Sequence, residues 1–224
     1  MMLALSAVLK PDEVALARSW LEGAPFVDGK LSAGLAARRV KANEELDRNA
    51  PDLERLDRLV MENLARHPDY RSAALPLRAA SPLYARYRPG MNYGEHLDDP
   101  VMGSEGFWYR SDIAVTVFLS APEEYDGGEL VVRTGYGEQA VKRTAGDAVL
   151  YPAGSIHRVN PVSRGERLVA VTWVQSLVRD PARRELLHGL NAARETLLRE
   201  SPASVAATQV NAAYVNLVRM WSEL

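Results

Sequence analysis

Between residues 113 and 174 the chain carries four short runs rich in β-branched and aliphatic residues, at 113–119, 129–132, 148–151 and 168–174. Turn formers separate them, including Asp126-Gly127-Gly128, Gly135-Tyr136-Gly137 and Ala145-Gly146-Asp147, and no helical period falls in between. Strands this short cannot each bury a face alone, and without crossover helices they cannot build a parallel sheet. The pattern predicts an antiparallel barrel or sandwich, which closes or doubles the sheet so that few edges stay exposed.

The flanks read differently. Pro11 suits the first position of a helix, with Val14, Ala17 and Leu21 at helical spacing up to Glu22-Gly23. A second helix is signalled by Asn49-Ala50-Pro51, carries Leu53, Leu56, Val60 and Leu64 on one stripe, and ends before His67-Pro68. Residues 28–46 give no assignable period. The opening nine residues are apolar but have no positive segment ahead of them and no small-residue cleavage pattern behind, so a first strand is expected and not a signal peptide. At the other end, Asp180-Pro181 and Ser201-Pro202 each start a helix, with Leu186, Leu187 and Leu190 on the first and Val210, Tyr214, Leu217 and Trp221 on the second. This hairpin is read as packing against the barrel or against a second copy of the chain, which would make a homo-oligomer. The expected organisation is a helical support region over residues 1–80, a β core over 81–177 and a helical extension over 178–224.

Composition excludes several functions. Charged residues make up 25% of the chain with a formal net charge of −2 and no Lys/Arg stripe, so nucleic acid is a poor partner. No apolar run reaches the roughly 18 residues of a membrane span, and a cytoplasmic protein is expected. With no cysteine, any metal must be held by histidine and carboxylate.

Four histidines are available. In extended chain, residues two apart point to one face, so His96 and Asp98 can converge on one ion. A third ligand is needed, and His157, several strands later in the stretch Pro152-Ala153-Gly154-Ser155-Ile156-His157, is placed to supply it from an opposite wall of the barrel. Two histidines and a carboxylate on one face of an ion leave adjacent positions open, the arrangement of non-haem Fe(II) oxygenases. His67 beside a proline and His188 inside a leucine-rich helix are read as capping and helix-surface residues. Asp99, the neighbour of Asp98, should face away from His96.

Arg167 follows the turn at residues 161–166 and opens the last β run, so it is expected to return alongside His157. Whether it faces inward depends on a register that a bulge at Gly165 would change. An inward guanidinium needs an anion, and 2-oxoglutarate is a dicarboxylate able to chelate the metal at one end and meet a guanidinium at the other.

Taken together, Tyr87-x-x-Gly90-x-x-Tyr93-x-x-His96-x-Asp98, Asp126-Gly127-Gly128-Glu129-Leu130, Gly146-Asp147, His157-Arg158-Val159 and Gly165-Glu166-Arg167 resemble the PKHD-type hydroxylases. These are bacterial relatives of the prolyl 4-hydroxylases within the Fe(II)/2-oxoglutarate dioxygenases. The likeness extends to Asp28-Gly29-Lys30, Lys41-Ala42-Asn43, residues 173–180 and Asn216-Leu217-x-Arg219-x-Trp221, with Ala42 standing where the family pattern has asparagine. The resemblance implies a double-stranded β-helix, a cupin-like jelly roll, with Fe(II) on His96, Asp98 and His157 and 2-oxoglutarate on Arg167. Tyr87 is either a hydrogen-bond partner of the cosubstrate or a core tyrosine. The implied reaction hydroxylates an unactivated C–H with O2, decarboxylates 2-oxoglutarate to succinate and CO2, and draws on L-ascorbate as a reductant. The substrate is a small molecule or a peptidyl side chain, and a link to iron uptake would make it siderophore-related. The glycines and aromatics of residues 100–110 are read as a substrate-facing lid. The rival reading is a non-enzymatic, metal-binding cupin-like module, which the Gly146 to Asn160 spacing resembles; cupins, however, open with H-x-H where this chain has His96-x-Asp98.

Overall fold

A computed structural model describes residues 1–224. The four β runs form strands at Ile113–Phe118, Leu130–Thr134, Ala148–Pro152 and Arg167–Ser176. All strand pairings are antiparallel, and they build two main sheets. The larger runs, in order of pairing, Leu3–Leu5, Ala148–Pro152, Ile113–Phe118, Arg167–Ser176, Leu83–Tyr87, Glu44–Leu46 and Phe26–Asp28, with Pro76–Ala79 also paired to the Arg167–Ser176 strand. The smaller runs Gly137–Val141, Leu130–Thr134, His157–Val159, Asn92–His96 and Lys41–Ala42. The result is the double-stranded β-helix, or jelly roll, with helices at both ends of the chain.

Two cores flank the larger sheet. Ala114, Phe118, Val149, Tyr151 and Val169 face the smaller sheet and pack on its Leu130, Val132, Val141 and Val159. The alternate residues Val115, Val117, Leu150, Leu168 and Ala170 face outward under the helices Pro11–Leu21, Leu53–Arg66 and Pro68–Ala74, meeting Val14, Ala17, Leu21, Leu56, Val60 and Leu64. A strand covered on both faces has no solvent side, which is why Ile113–Phe118 is buried at every position and reads as a continuous apolar run.

Residues 28–46, which carry no period, supply strands of two or three residues to the edges of both sheets, too short to register as alternation. The closing helices span Pro181–Glu200 and Val205–Trp221, capped by the side chains of Asp180 and Ser204. Their Leu187, Tyr214, Leu217, Val218 and Trp221 pack on Leu75 and Val178 of the same chain. No helix is long and apolar enough to cross a membrane.

The route from His157 to Arg167 differs from a simple hairpin. After Val159 the chain forms the strand Val162–Gly165, which pairs with Tyr125–Gly127 and not with the His157 strand. Gly165 sits at φ 74°, and a Cβ there would fall 1.9 Å from the Glu124 carbonyl oxygen, so this close crossing requires glycine. The register shift lies at Asp126/Gly127 and not at Gly165. Arg167 therefore does not return alongside His157. It enters the larger sheet directly opposite Tyr87.

Candidate active site

His96 is the last residue of the strand Asn92–His96, Asp98 lies two residues beyond it, and His157 opens the strand His157–Val159. The two histidines are cross-strand partners in the smaller sheet. This corrects the expectation of opposite barrel walls: the sixty residues between them form other strands, and the chain comes back as the immediate neighbour. The rings lie 4.2 Å apart between centroids, and His157 Nε2 is 3.7 Å from Asp98 Oδ1. One ligand atom from each of His96, Asp98 and His157 lies within 4.8 Å of the others, a spacing that can hold one metal ion.

Backbone carbonyls set the chemistry of both rings. His96 Nδ1 is 2.8 Å from the Gly94 oxygen and His157 Nδ1 is 2.9 Å from the Ser155 oxygen. A carbonyl only accepts, so each Nδ1 carries the proton and each Nε2 keeps a free lone pair for a metal. Tyr93 stacks on His96 at 3.6 Å, and Tyr151 meets His157 edge-on at 5.1 Å. Burial, reinforced by His157, pushes the His96 pKa down to about 3, whereas burial pushes the Asp98 carboxyl up. Both shifts oppose charge at a dry site; a divalent cation would favour the neutral imidazole and the carboxylate together. Asp98 Oδ2 is buried and has no hydrogen-bond partner. The donor set, two imidazoles and one carboxylate without sulfur, suits iron.

The facing sheet contributes Arg167. It is 2% exposed, no carboxylate pairs with it, and its Nε has no acceptor. Around the guanidinium stand the Tyr87 ring at 5.0 Å and the Phe118 ring at 5.8 Å. A buried cation without an anion is unfavourable by several kcal/mol, roughly, unless a ligand supplies one. Tyr87 is buried, and its hydroxyl pKa is pushed up to about 12 by that burial, so it remains a donor at neutral pH. His96, Asp98, His157, Tyr87 and Arg167 all line one cavity of about 1230 Å³. This exceeds the roughly 300–1,000 Å³ of common ligand pockets and leaves room for a substrate beside a small dicarboxylate.

Other residues of this cavity escaped the sequence reading. Lys41 and Glu45 form a buried ion pair in its wall, and Trp173 and Arg78 line it too. They sit on very short or edge strands or far along the last strand, where spacing gave no cue. Gly128, read only as a turn former, backs the arginine: at φ 67°, a Cβ there would lie 3.1 Å from Arg167 Cδ and 2.9 Å from Val162 Cγ2. Gly128→Ala is expected to shift Arg167 and weaken 2-oxoglutarate about tenfold, with metal binding intact; titration of the two ligands on the variant checks this. Residues 100–110 form a hairpin, Val101–Met102 paired with Tyr109–Arg110, at the cavity mouth. Phe107 and Trp108 there are 80% and 56% exposed, and Arg78 Nη1 donates to the Trp108 carbonyl at 2.9 Å. His67 and His188 lie elsewhere, bonded to the Ser6 oxygen and to Ser72 Oγ.

A jelly roll enclosing two histidines and an aspartate at metal-binding distance is the architecture of the 2OG-Fe(II) oxygenase superfamily, whose family model matches residues 82–175. Over all 224 residues, the full length of both proteins, the chain is 49% identical to a PKHD-type hydroxylase of Thioalkalivibrio sulfidiphilus. The chain belongs to the PKHD-type hydroxylases, and is a 2-oxoglutarate-dependent hydroxylase that uses Fe(II), 2-oxoglutarate and O2. The binding-module alternative falls with that result. Solved structures share the fold at low identity. A Trichoplax adhaerens prolyl hydroxylase, in complex with a hypoxia-inducible-factor peptide, aligns with TM-score 0.57 at 15% identity over 83% of this chain and 86% of its own. HygX of Streptomyces hygroscopicus, holding nickel, 2-oxoglutarate and hygromycin B, aligns with TM-score 0.53 at 18% identity over 79% and 77%.

Proposed function

We propose that His96, Asp98 and His157 hold the Fe(II), that Arg167 takes the far carboxylate of 2-oxoglutarate, and that Tyr87 donates to the same cosubstrate. The observation that carries this reading is a buried arginine without a counter-ion in the cavity that also contains the His–Asp–His set. Bound Fe(II) supplies the oxidation, in which one O2 atom enters a C–H bond of the substrate and the other enters succinate as 2-oxoglutarate loses CO2. The chain's own residues bind and orient. The two Nδ1–H···O=C bonds hold the imidazoles with Nε2 toward the ion. The Arg167 fork fixes the cosubstrate's far end in two directions at once. The aromatic cavity walls keep water from the reacting atoms.

In this reading residues 81–177 carry the reaction, 1–80 brace the larger sheet, add short strands to both sheets and complete part of the cavity wall, and 178–224 form a helical extension. The 101–110 hairpin is a lid that covers the substrate, with Phe107 and Trp108 as its apolar contacts. The substrate is a peptidyl side chain or a small molecule, and the cavity volume admits either; a siderophore-related compound is the first small molecule to test. Protein mixed with Fe(II) and 2-oxoglutarate without air should develop the visible charge-transfer band of the chelate, and admitting air should yield succinate. A chain that binds both ligands without the band, or forms no succinate in air, contradicts the assignment.

A further inference from the structure

Two cations of the cavity keep no partner once the metal and cosubstrate roles are filled. Lys41 is paired with Glu45, while in the proposed reading His96, Asp98 and His157 hold the metal and Arg167 takes the cosubstrate. Arg48 and Arg78 line the same cavity, and each meets only a backbone carbonyl. Arg48 Nη1 donates to Pro82 at 3.2 Å, and Arg78 Nη1 donates to Trp108 at 2.9 Å. A guanidinium has five N–H donors, so most of each fork stays open. Asp57, on the helix Leu53–Arg66, feels the Arg48 charge but does not line the cavity. The remaining acid of the cavity, Asp99, is turned against Gly34, where a Cβ would lie 3.0 Å from Asp99 Oδ2.

The fold brings both arginines to one end of the cavity. The strands Pro76–Ala79 and Leu83–Tyr87 pair in line along the Arg167–Ser176 strand, and Ala79, Ala80 and Ser81, at their junction, line the cavity. Arg78 stands at one end of this floor and Pro82, which holds Arg48, at the other, at most about 14 Å of chain away. The Trp108 carbonyl that holds Arg78 belongs to the hairpin at the cavity mouth. Arg78 pairs with Gln175, eight residues beyond Arg167 on one strand, or roughly 26 Å. A short dicarboxylate anchored on Arg167 does not span that distance, so the cosubstrate leaves Arg48 and Arg78 free.

We infer that the substrate of this hydroxylase carries an acidic group, a carboxylate or similar oxyanion, which Arg48 and Arg78 bind at the mouth end of the cavity. This rests on the proposed cosubstrate site at Arg167 and names the chemistry of the substrate that goes with it. Two like charges without a counter-ion focus a positive potential into the cavity, although the whole chain has a formal net charge of −2. An entering anion is steered by that field and relieves the repulsion, and guanidinium forks match the planar oxygens of a carboxylate. The carbonyl anchors hold both forks in place before anything binds.

Both side chains are exposed and each bonds one carbonyl, so Arg48→Gln and Arg78→Gln should fold as the parent does. The probes are phenylacetate with phenylacetamide, and a blocked glutamyl tripeptide with its glutaminyl counterpart. Each is titrated calorimetrically into full-length protein loaded with Zn(II) and saturating 2-oxoglutarate. At least one acid is expected to bind about tenfold tighter than its amide. Each substitution should remove most of that preference and the double variant all of it, with 2-oxoglutarate affinity within twofold of the parent. Which acid shows the preference separates a small-molecule from a peptidyl substrate. Absence of a preference for either acid, or a preference that survives in the double variant, overturns the inference. A parent protein that takes up no 2-oxoglutarate overturns instead the reading on which it rests.

Discussion

Replacing Arg167 with methionine is expected to abolish useful 2-oxoglutarate binding and, at the same time, to make the ligand-free protein more stable. Both effects come from one fact: the guanidinium is buried with no carboxylate beside it. Truncating one partner of a buried charge pair loses about 2–5 kcal/mol of binding, or roughly 30- to 5,000-fold in affinity. Without the cosubstrate, the same arginine has been stripped of water for no partner in return. Methionine fills similar space beside Tyr87 and Phe118 without that penalty, and apolar replacement of buried ions stabilises by about 1–4 kcal/mol. For a chain of this length that is a rise of roughly 2–4 °C in the unfolding midpoint for each kcal/mol. Calorimetry of metal-free Arg167→Met against the parent, with a charge-transfer titration of 2-oxoglutarate on the Fe(II) forms, checks both arms. A variant that binds 2-oxoglutarate within threefold of the parent would place the anion elsewhere. A loss of stability would mean the arginine has an internal partner.

The same residue marks where sequence reasoning stops. His96-x-Asp98, His157 and Arg167 stand out in the chain because their chemistry is unusual for strand positions, and alternation predicts which of them share a face. Which strands become neighbours is not written locally. His96 and His157 face each other directly because the intervening strands fill the rest of both sheets, and Arg167 crosses to the opposite sheet at a glycine whose backbone approaches Glu124. Edge strands such as Lys41–Ala42 are held by their neighbours' hydrogen bonds and carry no propensity signal of their own. The helices were the easier part, since each buries one stripe on the barrel or on its neighbours and that stripe repeats at helical spacing.

Removing His157 should do what removing Arg167 does not: uncouple the metal from the fold. A metal that binds only the folded chain stabilises it by RT ln(1 + [L]/Kd), about 2.7 kcal/mol at a hundredfold excess over Kd. That corresponds to an unfolding midpoint higher by roughly 5–10 °C in a chain of this size. The parent protein and Arg167→Met should both show this rise with Fe(II) in the absence of air, because both keep all three donors. His157→Ala should show none of it and should form no charge-transfer band, since the cosubstrate chelates an ion that is no longer held. The substitution itself is mild for the ligand-free fold. His157 packs against His96 and the edge of Tyr151 and donates one bond to Ser155, so its loss opens a small space beside residues that are already well held. A flat response to metal therefore reports the lost ligand and not a damaged barrel. If His157→Ala still rises with Fe(II), the ion is held by a set that excludes His157, and Asp99, which lines the same cavity, becomes the residue to remove next.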